Sequence, residues 1–236
     1  MRRKILLAAF LLFASFSSYP PVTAESPKQL TYLALGDSLT VGLGSSEEGY
    51  LRIHGFVPQF TNYLRTKHTV HVENYGIPGL TATGLVALLQ GDEALRNRLK
   101  TANIITVSIG GNDFLQTVRS LSHSDDEALQ LRMQILWTSL EQISSTLQQV
   151  NSEATIMFIG LYNPYPTQHE LHKIGAKYAP LYNELIEEVT PESTIVINPY
   201  ESFVNREKEL THIINDNIHP NDSGYKEIVA LMKKAY

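Results

Sequence analysis

Two positions far apart in the chain carry the elements of nucleophilic catalysis. Ser38 follows the apolar run Leu33-Ala34-Leu35 and the punctuating pair Gly36-Asp37, so its hydroxyl sits where a buried strand ends and the chain bends. A serine hydroxyl is a weak nucleophile and needs a base, which in turn needs an orienting group. Near the C-terminus, Asp216-Asn217-Ile218-His219-Pro220 offers both. At that spacing the Asp216 carboxylate can fold back to accept a hydrogen bond from one imidazole nitrogen of His219, leaving the other nitrogen to face a serine. Pro220 biases His219 away from helical geometry, which assigns the ring to a loop.

Attack on an ester carbonyl also requires donors for the oxyanion that forms. Ile109-Gly110-Gly111-Asn112-Asp113 has glycines that let the backbone come close and an Asn112 amide that can donate. Asn74-Tyr75-Gly76-Ile77-Pro78-Gly79 offers a glycine N–H unobstructed by a side chain. With the Ser38 N–H, this makes three donors from three different strand ends.

Elements that could bring these blocks together are visible as alternating patterns. Apolar, β-branched runs occur at 30–35, 69–74, 103–109, 154–159 and 194–197, several of them continuous, as suits strands covered on both faces. Helical patterns lie between and after them at 57–66, 81–99, 126–150, 178–189 and 223–234. The clearest is 126–150, where Leu136, Leu140, Ile143, Leu147 and Val150 step by four and three along one face. Five strands separated by helices predict an α/β fold with a five-stranded parallel sheet in the flavodoxin-like order 2-1-3-4-5. The first strand is then central and Ser38 lies at the switch point, where open α/β sheets bind ligands.

Four blocks in order, Gly36-Asp37-Ser38-Leu39, Asn74 to Gly79, Gly110-Gly111-Asn112-Asp113 and Asp216 to His219 with Pro220, resemble the SGNH (GDSL-type) hydrolase superfamily, in particular its secreted bacterial acylhydrolases. The resemblance implies a three-layer flavodoxin-like fold and ester hydrolysis through an acyl-serine. It also implies Ser38 as nucleophile, His219 as general base and acid, Asp216 as its orienter, and Ser38 N–H, Gly79 N–H and Asn112 as oxyanion donors. One departure is Pro78, where many members carry serine before the block-two glycine. Thr40 stands where a Gly-x-Ser-x-Gly elbow would need its second glycine, which argues against the α/β-hydrolase arrangement.

Two segments interrupt the regular pattern, 114–125 and 162–177, and both leave carboxyl ends of strands. Phe114, Leu115, Leu161, Tyr162, Tyr165 and Ile218 can line an acyl pocket there, or pack their loops onto the core. Asp37 and Asp113 are read as bracing their turns, not as metal ligands, and no metal or cofactor is expected. The other histidines, His54, His68, His71, His123, His169, His172 and His212, show no comparable arrangement and are mostly assigned to the surface.

Arg2, Arg3 and Lys4 precede an apolar run from Ile5 to Phe16, and Val22-Thr23-Ala24 offers small residues for cleavage. This reads as a signal peptide, 1–24, before a single domain, 25–236, with an uncleaved N-terminal anchor as the alternative. Loss of the three basic residues takes the formal net charge from −5 to −8, which disfavours a nucleic-acid partner. With no cysteine in the chain, a lipoprotein anchor, a disulfide framework and a cysteine nucleophile are excluded. The expectation is a secreted serine esterase or acylhydrolase acting on a small-molecule, lipid or glycan ester or a thioester, without stable membrane insertion after cleavage. A carbohydrate O-acetyl esterase and a non-catalytic lipid- or glycan-binding protein are the alternatives.

Overall fold

The computed structural model describes residues 28–47, 51–120 and 126–236. The leader assignment therefore lies outside the described residues. In chain order the elements are β1 (Gln29–Gly36), α1 (Ser38–Val41), α2 (Phe56–Leu64), β2 (Thr69–Gly76), α3 (Ala82–Gly91), α4 (Glu93–Leu99), β3 (Ile104–Ser108), α5 (Gly111–Ser120) and α6 (Asp126–Val150). Then follow β4 (Thr155–Ile159), α7 (His172–Val189), β5 (Ile195–Ile197), α8 (Tyr200–Phe203), α9 (Glu207–Leu210), β6 (Thr211–His212), a 3-10 turn (Ile213–Asn215), β7 (Asn217–Pro220) and α10 (Asp222–Ala235).

Strands β1 to β5 form one parallel sheet in the order β2-β1-β3-β4-β5, as the alternation of patterns predicts. Successive side chains of a strand point to opposite faces, so each buried run feeds two cores. Leu33, Leu35, Ile105, Val107, Ile156 and Phe158 pack with α3, α4, α6 and α7 on one face. Tyr32, Ala34, Ile104, Met157 and Ile159 pack with α2 and α10 on the other. This double covering explains why the runs are continuous instead of alternating.

Three differences from the sequence pattern matter for the site. The helical stretch at 81–99 is broken at Asp92, which leaves helical geometry and caps α4 by accepting the Leu95 N–H. Residues 111–120, of which 114–120 belong to a segment read as irregular, form α5, so Asn112, Leu115, Val118 and Arg119 share one helical face. Helix α7 begins at His172, six residues before the expected start, and carries Pro180 inside it. Proline leaves the carbonyl four residues back without its helical donor, and the Tyr200 hydroxyl lies 3.4 Å from that Ala176 oxygen.

Candidate active site

Ser38 is placed by three consecutive residues, each for a separate reason. Gly36 has φ +142, and a Cβ there would lie 2.1 Å from the Ser108 carbonyl oxygen, so only glycine lets β1 turn this close to β3. Asp37 caps α1 by accepting the Leu39 N–H at 3.0 Å, while its own N–H donates to Ser108 O. Ser38 is then the first helical residue, half-exposed above the carboxyl edge of the sheet. Its N–H makes no hydrogen bond among the described residues, as the first turn of a helix leaves it.

His219 reaches Ser38 across 181 residues of sequence: its Nε2 lies 2.9 Å from Ser38 Oγ. The ring is carried on β7, which pairs with β6 as a short antiparallel hairpin, not on the loop expected from Pro220. Asp216 does not hold the ring as its spacing suggests. It sits in the left-handed region at φ +55, exposed to solvent, its N–H donating to Ile213 O. The neighbouring Asn217 takes that place, with Oδ1 2.6 Å from His219 Nδ1. The backbone N–H of His219 donates to the same atom at 3.0 Å, which identifies it as the amide oxygen. An oxygen that can only accept fixes the hydrogen on Nδ1 and leaves the Nε2 lone pair facing the serine.

The histidine is braced from behind. Gly44, at φ +90, packs so closely that a Cβ would lie 2.8 Å from His219 Cβ and 2.4 Å from Pro220 O. His212, not free on the surface, donates from Nε2 to Gly44 O at 2.7 Å, and the Tyr225 hydroxyl donates to Leu43 O at 2.7 Å. Burial is the main cause that holds His219 below the ordinary histidine range, followed by the charges of His212 and Arg52.

The other donor candidates share a cavity with Ser38 and His219. Gly79 has φ +81, open space where a Cβ would stand, and an N–H without a partner among the described residues. The Asn112 amide donates to Leu80 O at 2.9 Å and lies 3.4 Å from Asp37 Oδ2, so one of its hydrogens is only weakly engaged. Burial pushes the Asp37 carboxyl up to about 7, against the pull of the Leu39 N–H. Asp113 is also pushed up by burial and accepts the Ala82 N–H at 2.9 Å, tying α5 to the start of α3. Both carboxylates thus brace backbone, and Asn74 joins β2 to α1 by donating to Thr40 O at 2.7 Å. Among the described residues no group of three or more His, Cys, Asp or Glu side chains comes together as a metal site.

Phe114, Leu115, Leu161, Tyr162, Tyr165 and Ile218 all border this cavity of about 320 Å³. Tyr162 does structural work as well: its ring stacks on Phe203 at 4.2 Å and its hydroxyl donates to Ile218 O at 2.8 Å, joining the segment after β4 to the histidine hairpin. Sequence reading missed Val118, Ile174 and Tyr178, the walls that α5 and α7 add. The four-residue spacing of Ile174 from Tyr178, the first residue of the expected helix, was a signal that the helix extends back into the segment read as irregular.

The GDSL-like lipase/acylhydrolase family matches residues 34–227 of this chain. The chain belongs to that family. As a GDSL-like protein it is a serine ester hydrolase, and its sheet order is that of the SGNH α/β fold. The spore germination lipase LipC of Bacillus licheniformis is 28% identical over 214 residues, covering 87% of this chain and 96% of that protein. The uncharacterized protein YpmR of Bacillus subtilis is 26% identical, covering 89% of this chain and 83% of that protein. Among solved structures, the lipase Lip_vut3 from a goat rumen metagenome has a TM-score of 0.73 at 25% identity, covering 87% of this chain and 97% of its own. Axe2, an acetylxylan esterase from Geobacillus stearothermophilus, shares the fold with a TM-score of 0.62 at 17% identity, covering 89% and 94%.

Proposed function

We propose that this GDSL-family hydrolase cleaves carboxylic esters through an acyl-serine formed at Ser38. The observation that carries the reading is the 2.9 Å approach of His219 Nε2 to Ser38 Oγ, with Nδ1 committed to a hydrogen-bond acceptor. His219 takes the hydroxyl proton as Oγ attacks the carbonyl carbon, and the oxyanion accepts from the Ser38 N–H, the Gly79 N–H and the Asn112 amide. The imidazolium then gives its proton to the leaving alcohol. Water, deprotonated by the same nitrogen, releases the acid and restores the serine. An oxyanion competes with Asp37 for the weakly held Asn112 hydrogen.

A lipase-like or short acyl ester substrate fits the apolar walls beside Ser38, and a thioester uses the same attack. An O-acetyl group on a polysaccharide is the second reading, favoured by the fold shared with Axe2. The basic start, apolar run and small residues before position 25 support export and release by cleavage after Ala24. Intact-mass measurement of culture supernatant tests this, with a protein starting at Glu25 as the expected result.

Ser38→Ala tests the chemistry. Its turnover of a p-nitrophenyl acyl ester is expected to drop by several orders of magnitude with an unchanged melting temperature. Labelling by a fluorophosphonate probe should vanish with it; hydrolysis at the parent rate would refute the assignment.

A further inference from the structure

We infer that α5 is a ruler for the acyl chain, and that this enzyme selects esters of medium-length acids, of about eight to ten carbons. The inference rests on the acyl-serine reading and adds to it the identity of the acyl group. The zero mark is Asn112, where the carbonyl oxygen is held. From it Leu115, Val118 and Arg119 follow on one face of the helix, and all three border the cavity that begins at Ser38. Ile174 and Tyr178 of α7 form the opposite wall. A chain leaving the acyl-serine is therefore bordered by apolar side chains from two helices until it reaches a guanidinium.

A length and a volume agree. Seven residues of helix from Asn112 to Arg119 rise about 10.5 Å. An extended chain advances about 1.2 Å per bond, by the span of a three-bond residue, so roughly eight or nine bonds fit that distance. The cavity is about 320 Å³. A methylene displaces about as much space as one liquid water, about 30 Å³, so roughly ten fill it.

Arg119 sets the end mark. It is exposed, makes no hydrogen bond or ion pair among the described residues, and is the one guanidinium bordering the cavity. A longer chain would press its terminal methylenes against a hydrated cation, which costs desolvation without a compensating bond. An acetyl group fills only the first part of the space and forgoes about fourfold in binding for each methylene left out.

The test is kcat/KM on monomeric p-nitrophenyl esters from two to sixteen carbons, for the parent protein, Arg119→Leu and Val118→Trp. The parent is expected to peak at eight to ten carbons, with the acetyl ester at least tenfold lower. Arg119→Leu should move the peak at least two carbons longer, and Val118→Trp should move it shorter. Arg119 is an exposed side chain with no hydrogen bond or ion pair among the described residues, so its variant is expected to fold even if Val118→Trp does not. A parent peak at two to four carbons, or a peak that Arg119→Leu leaves in place, overturns the ruler while ester hydrolysis stands. Loss of the acyl-serine reading would instead show as Ser38→Ala retaining activity at every length.

Discussion

Asn217 Oδ1 sits 2.6 Å from Nδ1 of His219, and the carboxylate one residue earlier does not approach the ring. In the proposed mechanism the orienting group is therefore a neutral amide, which fixes tautomer and ring direction but lends no charge to the imidazolium.

Asn217→Ala should lower kcat on the order of 10²-fold, the scale of a misplaced reacting group, whereas Asp216→Ala should cost less than tenfold. Asn217→Asp should restore activity and shift the acid limb of kcat/KM to higher pH, because a carboxylate favours the charged ring. Steady-state kinetics on the three variants decides the point. The reverse ranking would return the role to Asp216.

The acid limb of kcat/KM reports the base in the free enzyme, and His219 is held below 6.5 chiefly by burial and then by His212 and Arg52. Activity should therefore rise with pH to a plateau reached before neutrality. His212→Gln keeps a donor for Gly44 O and removes one positive neighbour, so its limb should move to higher pH. An unmoved limb would show that His212 does not reach His219 through charge.

Removing an oxyanion donor costs about 10² to 10³ in kcat. Asn112→Ala should fall in that range with KM little changed. Because Asn112 also holds Leu80 O, a parallel thermal melt separates a lost donor from a loosened loop. A large rise in KM at constant kcat would remove Asn112 from the transition state.

Asp37 has a folded pKa raised from 3.8 to about 7 by burial, so between those values the native state binds more protons than the unfolded chain. Its contribution to stability therefore falls as pH rises across that window. Asp37→Asn keeps an acceptor for the Leu39 N–H without the titration, and the drop in melting temperature from pH 4.5 to 7.5 should shrink. Asp113 is raised for the same reason and leaves part of the slope in place. A slope as steep as the parent's would mean that Asp37 is not buried as a titrating acid.

The sheet order was legible because the central strands β1, β3 and β4 are buried on both sides. Burial of this kind writes an uninterrupted apolar run into the sequence, as in Tyr32 to Leu35, and helices between such runs permit only parallel neighbours. The serine, histidine and glycine blocks were legible for a related reason: backbone geometry at a strand end tolerates few residue types, and Gly36, pressed on Ser108 O, shows why.

By itself, then, the sequence determined the layers, the strand order and the residues available at the carboxyl edge. Which of two adjacent side chains meets the histidine was decided by the tertiary structure. A 3-10 turn ends with Asp216 in a left-handed conformation, and from there the Asn217 amide, not the carboxylate, reaches the ring. The same holds for the cavity. Its walls come from α5 and α7, which are distant in sequence, and local patterning cannot encode the space left between two packed helices.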